Sequence, residues 1–342
     1  MEDKIALLGM TLAELKAVAG EIGMPSFAAR QMAEWLYGKK VASIDEMTNI
    51  SAKNRRLLNE RYTVGCAAPV DGQRSADGTV KYLYRTAAGG YVETVYIPDG
   101  DRATLCVSSQ VGCRMNCRFC MTGKQGFSGQ LTAADILNQL YSLPERETLT
   151  NVVFMGQGEP LLNLDNVLKA MEMLNESFQI GARRLTVSTS GIIPQIKKLA
   201  ELDMQSTLAL SLHAPNHEIR KQLMQIENKY PMDELHEALK YYVDKTGRRI
   251  TIEYLLIKGL NDTISSAKQL AAYLKDIKCN INLIPYNPTA KNDYKRPDNN
   301  SIMKFKALME HSGKKVTVRL ERGADIDAAC GQLSGKAKKE EI

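Results

Sequence analysis

Several features that would assign a protein class at once are scarce or missing in this sequence of 342 residues. No apolar run approaches the roughly 20 residues that a membrane-spanning helix needs. The polar start Met1-Glu-Asp-Lys does not look like a signal peptide. Histidine occurs four times and tryptophan once, and no group of histidines predicts a metal site. We therefore expect a cytoplasmic protein that has no membrane partner.

The regular cysteine pattern of a secreted disulfide framework is also missing, because the seven cysteines are odd in number and unevenly spaced. Three of them follow the pattern Cys113-x-x-x-Cys117-x-x-Cys120. Structural zinc prefers two separated pairs of ligands, and no second pair follows. Three thiolates in one loop can instead hold three irons of a four-iron cluster and leave the fourth iron open. The spacing, with Phe119 before the last cysteine, is similar to the signature of radical S-adenosylmethionine (SAM) enzymes.

The sequence also lacks a large excess of positive or negative charge, since the formal net charge is +6. This balance permits a polyanionic partner such as RNA without requiring one. Each basic group taken alone reads as a solvated surface, and together they favour RNA only alongside other evidence. The groups are Lys39-Lys40, Lys53 with Arg55-Arg56, Arg183-Arg184, Lys197-Lys198, Arg248-Arg249, Arg319 with Arg322, and 336–339.

The periodicity of apolar residues marks two segments before the main domain. Residues 1–60 predict short helices, the first opened by a capping box at Thr11 and Glu14 and a later one capped by Ser51. This unit is either a helical cap on the main domain or an RNA-docking module, and the sequence leaves both interpretations open. Residues 61–100 predict a β-hairpin extension, because alternating strands at 80–86 and 91–97 flank the turn Ala87-Ala-Gly-Gly90.

Residues 101–320 alternate between strand and helix patterns, which predicts an α/β fold with a parallel sheet and outer helices. The strand–helix units are too few for a closed eight-fold barrel, so we expect a partial, open β/α barrel. A C-terminal loop at 321–342 follows the last strand. The strand candidates are 104–108, 151–155, 185–189, 206–211, 249–256, 280–284 and 315–320, and the helix candidates are 132–143, 163–177, 194–202, 232–245, 264–276 and 299–312.

Polar motifs follow these strands at the edge where barrel ligands bind. Gly156-Gln-Gly-Glu-Pro160 follows strand 151–155, and its glycines permit close backbone approach to a ligand. Glu159 offers a carboxylate that suits the ammonium group of a methionine moiety. Three further polar residues could donate hydrogen bonds to the ribose or carboxylate of a ligand, namely Ser188, Ser211 and His213. For each of them taken alone, a structural role as a hydrogen-bonded polar residue is an equally good interpretation. The expected SAM-binding residues are Gly158, Glu159, Ser188, Ser211, Leu212, His213 and Asn287.

Two cysteines outside the cluster motif are further candidates for chemistry. Cys106 lies at the end of the first barrel strand, and Cys330 lies in a polar segment flanked by glycines near the end of the chain. A terminal loop of this kind can fold over the mouth of a barrel. Cys66 and Cys279, by contrast, are interpreted as apolar buried thiols.

A series of motifs spanning nearly the whole chain resembles the radical SAM RNA adenine methyltransferases. One departure is Gln157, where the family pattern predicts Met between two glycines. The added polarity bears only on local SAM contacts. The matching segments are 106–113, the cluster loop, 156–161, 185–191, 211–215, 282–288 and 325–333.

The resemblance implies a mechanism for three residues. Cys330 accepts a methyl group from one SAM and carries it to adenine C2, by way of a radical that a second SAM generates at the cluster. Cys106 then releases the product by forming a disulfide with Cys330, and Glu93 accepts the ring proton. A radical route agrees with the chemistry, because adenine C2 is electron-poor. From the residues alone, Glu93 is also consistent with an exposed edge-strand position.

The resemblance also implies cofactors and partners. The cofactors are one [4Fe–4S] cluster on Cys113, Cys117 and Cys120 and two SAM molecules per methylation. The partners are 23S rRNA, tRNA and an electron donor of flavodoxin type, with no DNA. Methylation at adenine C8 is the alternative within the class. A non-catalytic RNA-binding protein with a structural metal is the alternative from another class, and it predicts zinc and no need for SAM or Cys330.

Overall fold

The computed structural model of the chain describes residues 4–289 and 292–335. The basic group at 336–339 and the end of the predicted C-terminal loop lie outside the described residues. Within these ranges, no helix combines the length and the apolar character needed to cross a membrane.

The strands carry β-branched and aromatic residues in buried runs. Ile250–Leu256 is an example, and its nearly continuous burial is typical of a parallel strand covered on both faces. The strands are β1 (Ile5–Ala6), β2 (Tyr62–Thr63), β3 (Asp71–Arg74), β4 (Val80–Arg85), β5 (Tyr91–Asp99), β6 (Arg102–Cys106), β7 (Gln110–Gly112), β8 (Phe127–Gln130), β9 (Asn151–Phe154), β10 (Leu185–Thr189), β11 (Thr207–Ser211), β12 (Ile250–Leu256), β13 (Cys279–Pro285) and β14 (Lys315–Val318).

Many helices begin after a polar residue that accepts a free backbone N–H of the first turn. Thr132, for example, accepts the N–H of Asp135 at 3.1 Å. The helices are α1 (Leu12–Glu21), α2 (Ala28–Ala33), α3 (Ala52–Arg61), α4 (Met121–Lys124), α5 (Ala133–Tyr141), α6 (Leu164–Glu176), α7 (Ile193–Ala200), α8 (His217–Leu223), α9 (Met232–Thr246), α10 (Ile264–Tyr273) and α11 (Asn299–His311).

One ten-stranded sheet organises the main domain, in the order β14-β13-β12-β11-β10-β9-β6-β5-β4-β3. The strands from β6 to β14 in this sheet are parallel and follow chain order. Because successive parallel strands are neighbours and crossovers are right-handed, the helices gather on one face of the sheet. β3 and β14 are the outer strands and do not pair with each other. The predicted partial, open α/β barrel is therefore confirmed.

The predicted hairpin is present as β4 and β5, but it does not form a sheet of its own. β5 pairs antiparallel with the first barrel strand, β6, from Val95–Cys106 to Asp99–Arg102. β3 adds a further antiparallel strand at the outer edge. The sequence did not predict β3, because Asp71-Gly-Gln-Arg74 has no apolar alternation. The hairpin thus continues the barrel sheet.

The N-terminal unit packs against the barrel through α5 and the segment after it. β1 pairs in parallel with β2, which joins the start of the unit to its end. The Tyr141 hydroxyl donates to the Val41 carbonyl at 2.7 Å, and Lys40 and Glu147 form an ion pair at 2.9 Å. The second helix begins at Ala28, and π-helical turns continue it to Lys39.

Candidate active site

The loop that carries Cys113, Cys117 and Cys120 is closed at its base by a two-stranded ladder. β7 pairs antiparallel with β8, and the Cys113 N–H donates to the Gly126 carbonyl at 2.9 Å. Gly112 has a φ of 73°, and a Cβ atom there would lie 1.8 Å from the Gly126 carbonyl oxygen. Only glycine therefore lets the two ends of the loop approach this closely.

The three cysteines of this loop line one cavity of about 160 Å³ and are partly exposed. Burial raises the pKa of Cys113 to about 12, and the negative charges of Glu159 and Cys120 add to the effect. Burial also raises the pKa of Cys117, where the sulfurs of Cys120 and Cys113 add to it. Metal binding requires thiolates, so a metal group that binds here displaces the thiol protons.

The three thiols of the loop match the ligand set of a cluster that leaves one iron open. Cys113, Cys117 and Cys120 come from one short loop and line one cavity. A mononuclear zinc site needs ligands that converge on one point, with Zn–S distances of about 2.3 Å. A cubic cluster is wider and takes one thiolate at each of three irons. The residues present therefore fit a [4Fe–4S] cluster with three cysteine ligands.

Glu159 lines the same cavity, and its carboxylate is held by the turn that follows β10. Ser190 donates both its N–H and its hydroxyl to Glu159 Oε2, each at 2.8 Å. The Leu161 N–H donates to Oε1 at 3.1 Å. Burial raises the pKa of Glu159, and these hydrogen bonds offset part of the rise. An ammonium group beside this carboxylate would stabilise its buried charge, which fits the methionine moiety of SAM.

The glycines beside Glu159 have a packing role in addition to the predicted close approach to a ligand. A Cβ atom at Gly156 would lie 2.7 Å from Ser108 Oγ. A Cβ atom at Gly158, where φ is 105°, would lie 2.6 Å from Gln110 Cβ. Both glycines line the cavity of the cluster cysteines. They let the loop after β9 pack against the segment that leads into the cysteine loop.

The other predicted SAM-binding residues in this region differ in their hydrogen-bonding groups and in their access to the cavity. The hydroxyls of Ser188 and Ser211 lie 3.4 Å apart, and both residues line the cavity. His213 accepts the Leu255 N–H at Nδ1 at 3.0 Å, so Nε2 carries its proton. Burial lowers the pKa of His213 to about 3, which keeps the ring neutral. Leu212 is fully buried and does not line this cavity, and its N–H donates to the Glu253 carbonyl at 3.1 Å, so the predicted SAM contact at Leu212 is not seen in the lining.

A second cavity, of about 330 Å³, adjoins the first at Cys330, which lines both. Cys106 and Asn287 line the second cavity. Burial raises the pKa of Cys106 to about 12, and a negative charge on Cys330 adds to the effect. Both cysteines are free thiols in the structure. Two thiols that are far apart in sequence therefore border the same space.

Arg319 lines both cavities as well, just beyond the end of β14. A negative charge on the Cys330 sulfur raises the pKa of Arg319 most, and the Glu253 carboxylate and the Cys106 sulfur contribute. The guanidinium thus lowers the pKa of Cys106, although burial outweighs this effect. The sequence placed Arg319 only in a basic group, because a linear pattern does not show which strand ends meet at the barrel mouth.

The segment that carries Cys330 folds over the barrel mouth and contacts the cluster loop. The Met121 N–H donates to the Gly331 carbonyl at 2.7 Å, and the Thr122 hydroxyl donates to the Leu333 carbonyl at 2.9 Å. Asn287 Nδ2 donates to the Cys330 carbonyl at 3.4 Å. Asn287 therefore contacts the backbone of the methyl-carrier candidate.

Glu93 is a buried anchor for this segment. Its side chain is 6% exposed and lies 3.4 Å from Lys81 Nζ. Glu93 Oε2 accepts the N–H groups of Ser334 and Gly335 at 2.6 and 2.9 Å. Lys81 also donates to the Asp327 carbonyl at 3.3 Å. The interpretation of Glu93 as an exposed edge-strand residue is therefore wrong.

Gln157, the departure from the family pattern, does not contact either cavity. It is fully buried, and its Oε1 accepts the Glu93 N–H at 3.0 Å. This N–H lies beyond the last pair between β5 and β6, so the sheet itself supplies no acceptor for it. The polarity of Gln157 satisfies a strand N–H and does not alter the SAM site by direct side-chain contact.

Comparison with known proteins agrees with this geometry. The Radical SAM superfamily profile matches residues 107–270. The ribosomal RNA large subunit methyltransferase N-terminal domain profile matches residues 5–64. A crystal structure of a radical SAM methyltransferase from Sphaerobacter thermophilus aligns with a TM-score of 0.94 and 41% identity, and the alignment covers 97% of this chain and 100% of that one.

Curated relatives are similar over almost their full length. The chain is 50% identical to the probable dual-specificity RNA methyltransferase RlmN of Bacteroides fragilis, over 99% of this chain and 98% of the relative. It is 46% identical to the dual-specificity RNA methyltransferase RlmN of Pseudomonas entomophila, over 97% and 91%. The chain therefore belongs to the RlmN family of radical SAM RNA methyltransferases.

Proposed function

We propose that the chain methylates C2 of adenine in 23S rRNA and in certain tRNAs, through an S-methylcysteine at Cys330. One observation carries the proposal. Cys330 lines both cavities, so one thiol borders the cluster cysteines on one side and Cys106 on the other. A methyl group on this sulfur can be loaded from the first cavity and presented to a base in the second.

We assign the first cavity to the cofactors. When bound, the [4Fe–4S] cluster and SAM supply the methyl group and the one-electron chemistry that an electron-poor adenine carbon requires. Glu159 binds the ammonium group of SAM, and neutral His213 offers an Nε2 proton to a ligand acceptor. The residues that would hold the cluster are Cys113, Cys117 and Cys120, and further SAM contacts in this cavity are assigned to Gly158, Ser188 and Ser211. Of the other predicted SAM contacts, Asn287 lines the second cavity and Leu212 lines neither.

The two remaining thiols divide the transfer between them. Cys330 acts as the nucleophile that accepts the methyl group, and the Arg319 cation lines the same two cavities. Cys106 later attacks the Cys330 sulfur as a thiolate. An S–S bond forms, the S–C bond to the base breaks, and its electron pair is protonated to complete the new methyl group. The Arg319 cation offsets part of the effect of burial, which raises the pKa of Cys106 to about 12.

We assign Glu93 as the acceptor of the adenine ring proton. Its carboxylate does not line either cavity and accepts hydrogen bonds from Ser334 and Gly335. The assignment therefore requires that this end of the C-terminal segment release the carboxylate when RNA enters. Lys81 remains as its ionic partner after the release.

The surface offers contacts for two macromolecular partners. Lys53 and Arg56 are exposed on α3, where they suit an RNA-docking role for the N-terminal unit. The cluster loop exposes Arg114, Arg118 and Lys124, and no acidic residue occurs from 103 to 134. We assign this face to an acidic electron donor of flavodoxin type, and we place the reaction in the reducing cytoplasm.

Product analysis tests the proposal. Anaerobic holoenzyme, SAM and a reductant are incubated with 23S rRNA or tRNA transcripts, which are then digested to nucleosides. Mass spectrometry against standards should reveal 2-methyladenosine in both RNAs. A product that coelutes with 8-methyladenosine would establish the C8 alternative. No methylated adenine from either RNA, with an iron-loaded enzyme, would overturn the proposal.

A further inference from the structure

A fully buried ion pair lies next to the first cavity without lining it. Arg220 on α8 and Glu227 in the following turn have side chains that are 0% exposed, and Arg220 Nη1 donates to Glu227 Oε2. Neither residue lines either cavity. Burying two charges is costly, and packed apolar residues of similar volume are often at least as stable. Core stability alone therefore does not explain why this pair is present.

Further contacts fix the orientation of the pair. Arg220 Nη2 donates to the Ser190 carbonyl at 2.6 Å. Glu227 Oε1 accepts the Met232 N–H at 2.8 Å and lies 2.6 Å from His217 Nδ1. Among the described residues, Arg220 Nε has no hydrogen-bond partner. The guanidinium thus donates hydrogen bonds to two acceptors, the Glu227 carboxylate and the peptide carbonyl of Ser190.

Space for this contact comes from the residue after Ser190. Gly191 has a φ of 107°, and a Cβ atom there would lie 3.2 Å from Arg220 Nη2. Glycine adopts this backbone conformation without strain and leaves room for the guanidinium. The turn after β10 is therefore shaped so that the Ser190 carbonyl meets Arg220.

The same serine holds the carboxylate that faces the cavity. Ser190 donates its N–H and its hydroxyl to Glu159 Oε2, each at 2.8 Å. A continuous chain of polar contacts thus runs from Glu227 through Arg220 and Ser190 to Glu159. Ser190 lies between Arg220 and Glu159 in this chain, because its carbonyl accepts from Arg220 while its N–H and hydroxyl donate to Glu159.

We infer that Arg220 is a positioning residue that sets the affinity for the SAM ammonium group by orienting Glu159 through Ser190. The inference rests on the proposed function, in which Glu159 binds that ammonium group. The positive charge of Arg220 also lowers the pKa of His213 in the cavity wall, after the larger effect of burial. Arg220 is therefore electrostatically coupled to the cavity as well as hydrogen-bonded toward it.

The test is a double-mutant cycle on SAM binding, measured by calorimetry with anaerobically reconstituted holoenzyme. Arg220→Lys keeps the charge but loses the planar fork that reaches Glu227 and Ser190 together. It should weaken SAM binding about tenfold, within the coupling range of groups in one hydrogen-bond network. In a Glu159→Gln background, where the carboxylate is already gone, the same substitution should change the affinity by less than about twofold.

Two variants separate positioning from loss of structure. Arg220→Met with Glu227→Gln removes both charges together, which avoids an unpaired buried charge, and should weaken SAM binding as Arg220→Lys does. Tyr273→Phe is the matched control, because it removes a partly buried hydrogen bond to the Met232 carbonyl in the same region without touching Ser190. It should leave the SAM affinity unchanged. Iron content is measured for every variant.

The outcomes distinguish the inference from the proposal beneath it. Equal losses of affinity in both Glu159 backgrounds would overturn the positioning role and leave the SAM site in place. An unchanged affinity in Arg220→Lys would do the same. If Glu159→Gln alone leaves SAM binding unchanged, the ammonium assignment in the proposed function fails, and the inference fails with it.

Discussion

Glu93 and Ser334 are joined by a hydrogen bond of 2.6 Å although 241 positions separate them in the chain. The bond ties the first part of β5 to the end of the segment that carries Cys330. It comes with a second bond to the Gly335 N–H and with the ion pair to Lys81. The position of the methyl-carrier candidate therefore depends on a carboxylate in another part of the fold.

Replacing Glu93 with Gln should loosen this segment. The two amide donors lose a charged acceptor, and a hydrogen bond to a charged group is worth about 1.5–3 kcal/mol. Amide hydrogen exchange at Ser334 and Gly335 should accelerate by at least about tenfold, measured by mass spectrometry of peptides that cover 323–335. Asp325→Asn is the control, because Asp325 holds the segment at Ser75 and Ala76 instead. Equal acceleration at 334–335 in that control would contradict a specific role for Glu93.

Loss of Cys106 and loss of Cys330 should have opposite effects on crosslinking to RNA. Without Cys330 there is no methyl carrier, so no covalent adduct forms. Without Cys106 the carrier still adds to adenine, but no thiolate resolves the adduct. Cys106→Ala should accumulate protein crosslinked to RNA on denaturing gels, with a shift that nuclease removes. Crosslinking only in Cys330→Ala would show that the roles of the two cysteines are reversed. Equal crosslinking in both variants would show that neither role is assigned correctly.

Iron content should depend on three cysteines and on no other. Anaerobically purified protein should be brown and carry about four irons per chain. Alanine at Cys113, Cys117 or Cys120 should abolish the colour and most of the iron. Cys279→Ala is the matched control, because Cys279 is a buried free thiol outside both cavities. Stoichiometric zinc without iron after anaerobic reconstitution would support the zinc alternative instead.

The stability of the apoprotein should fall on mild acidification because of His213. Burial lowers its pKa from 6.5 to about 3. Between these values the unfolded chain binds a proton that the folded chain does not, so stability is lost as the pH falls below 6.5. At pH 5 this amounts to about 2 kcal/mol. In urea unfolding, the stability advantage of the wild type over His213→Asn should shrink by that amount between pH 7.5 and pH 5. A constant difference would show that His213 ionises freely in the fold.

The basic residues of α3 should separate into binding and structural roles. Lys53 and Arg56 are exposed, whereas Arg55 donates to the Ile50 carbonyl at 2.6 Å. Alanine at Lys53 and Arg56 together should weaken RNA binding and lower the salt slope of the binding constant by about one to two. Arg55→Ala should lower the melting temperature with a smaller change in that slope. Identical salt slopes in all three proteins would leave α3 without an RNA contact.

Much of the fold follows from local patterns. The strand at 250–256 is a buried apolar run, and the cap at Thr11 needs only a partner three residues later. Cys113, Cys117 and Cys120 likewise lie within one loop, so their spacing alone predicts the cluster site. The parallel order of the barrel strands also follows from the order of the elements along the chain, because successive strand–helix units pack beside each other.

Only the tertiary structure decided how distant segments combine. Nothing local to Glu93 shows that it is buried under the C-terminal segment, and nothing local to Arg319 shows that it meets two cysteines. Ser190 lies in the segment 185–191 that matches the family pattern, but its bonds to Glu159 and Arg220 depend on how the loops after β9 and β10 pack against α8. The sequence determined which chemistry the chain carries, because ligand spacing and strand periodicity are short-range. The fold determined which residues orient that chemistry, because buried charges and hydrogen bonds take their partners from whatever the packing brings close.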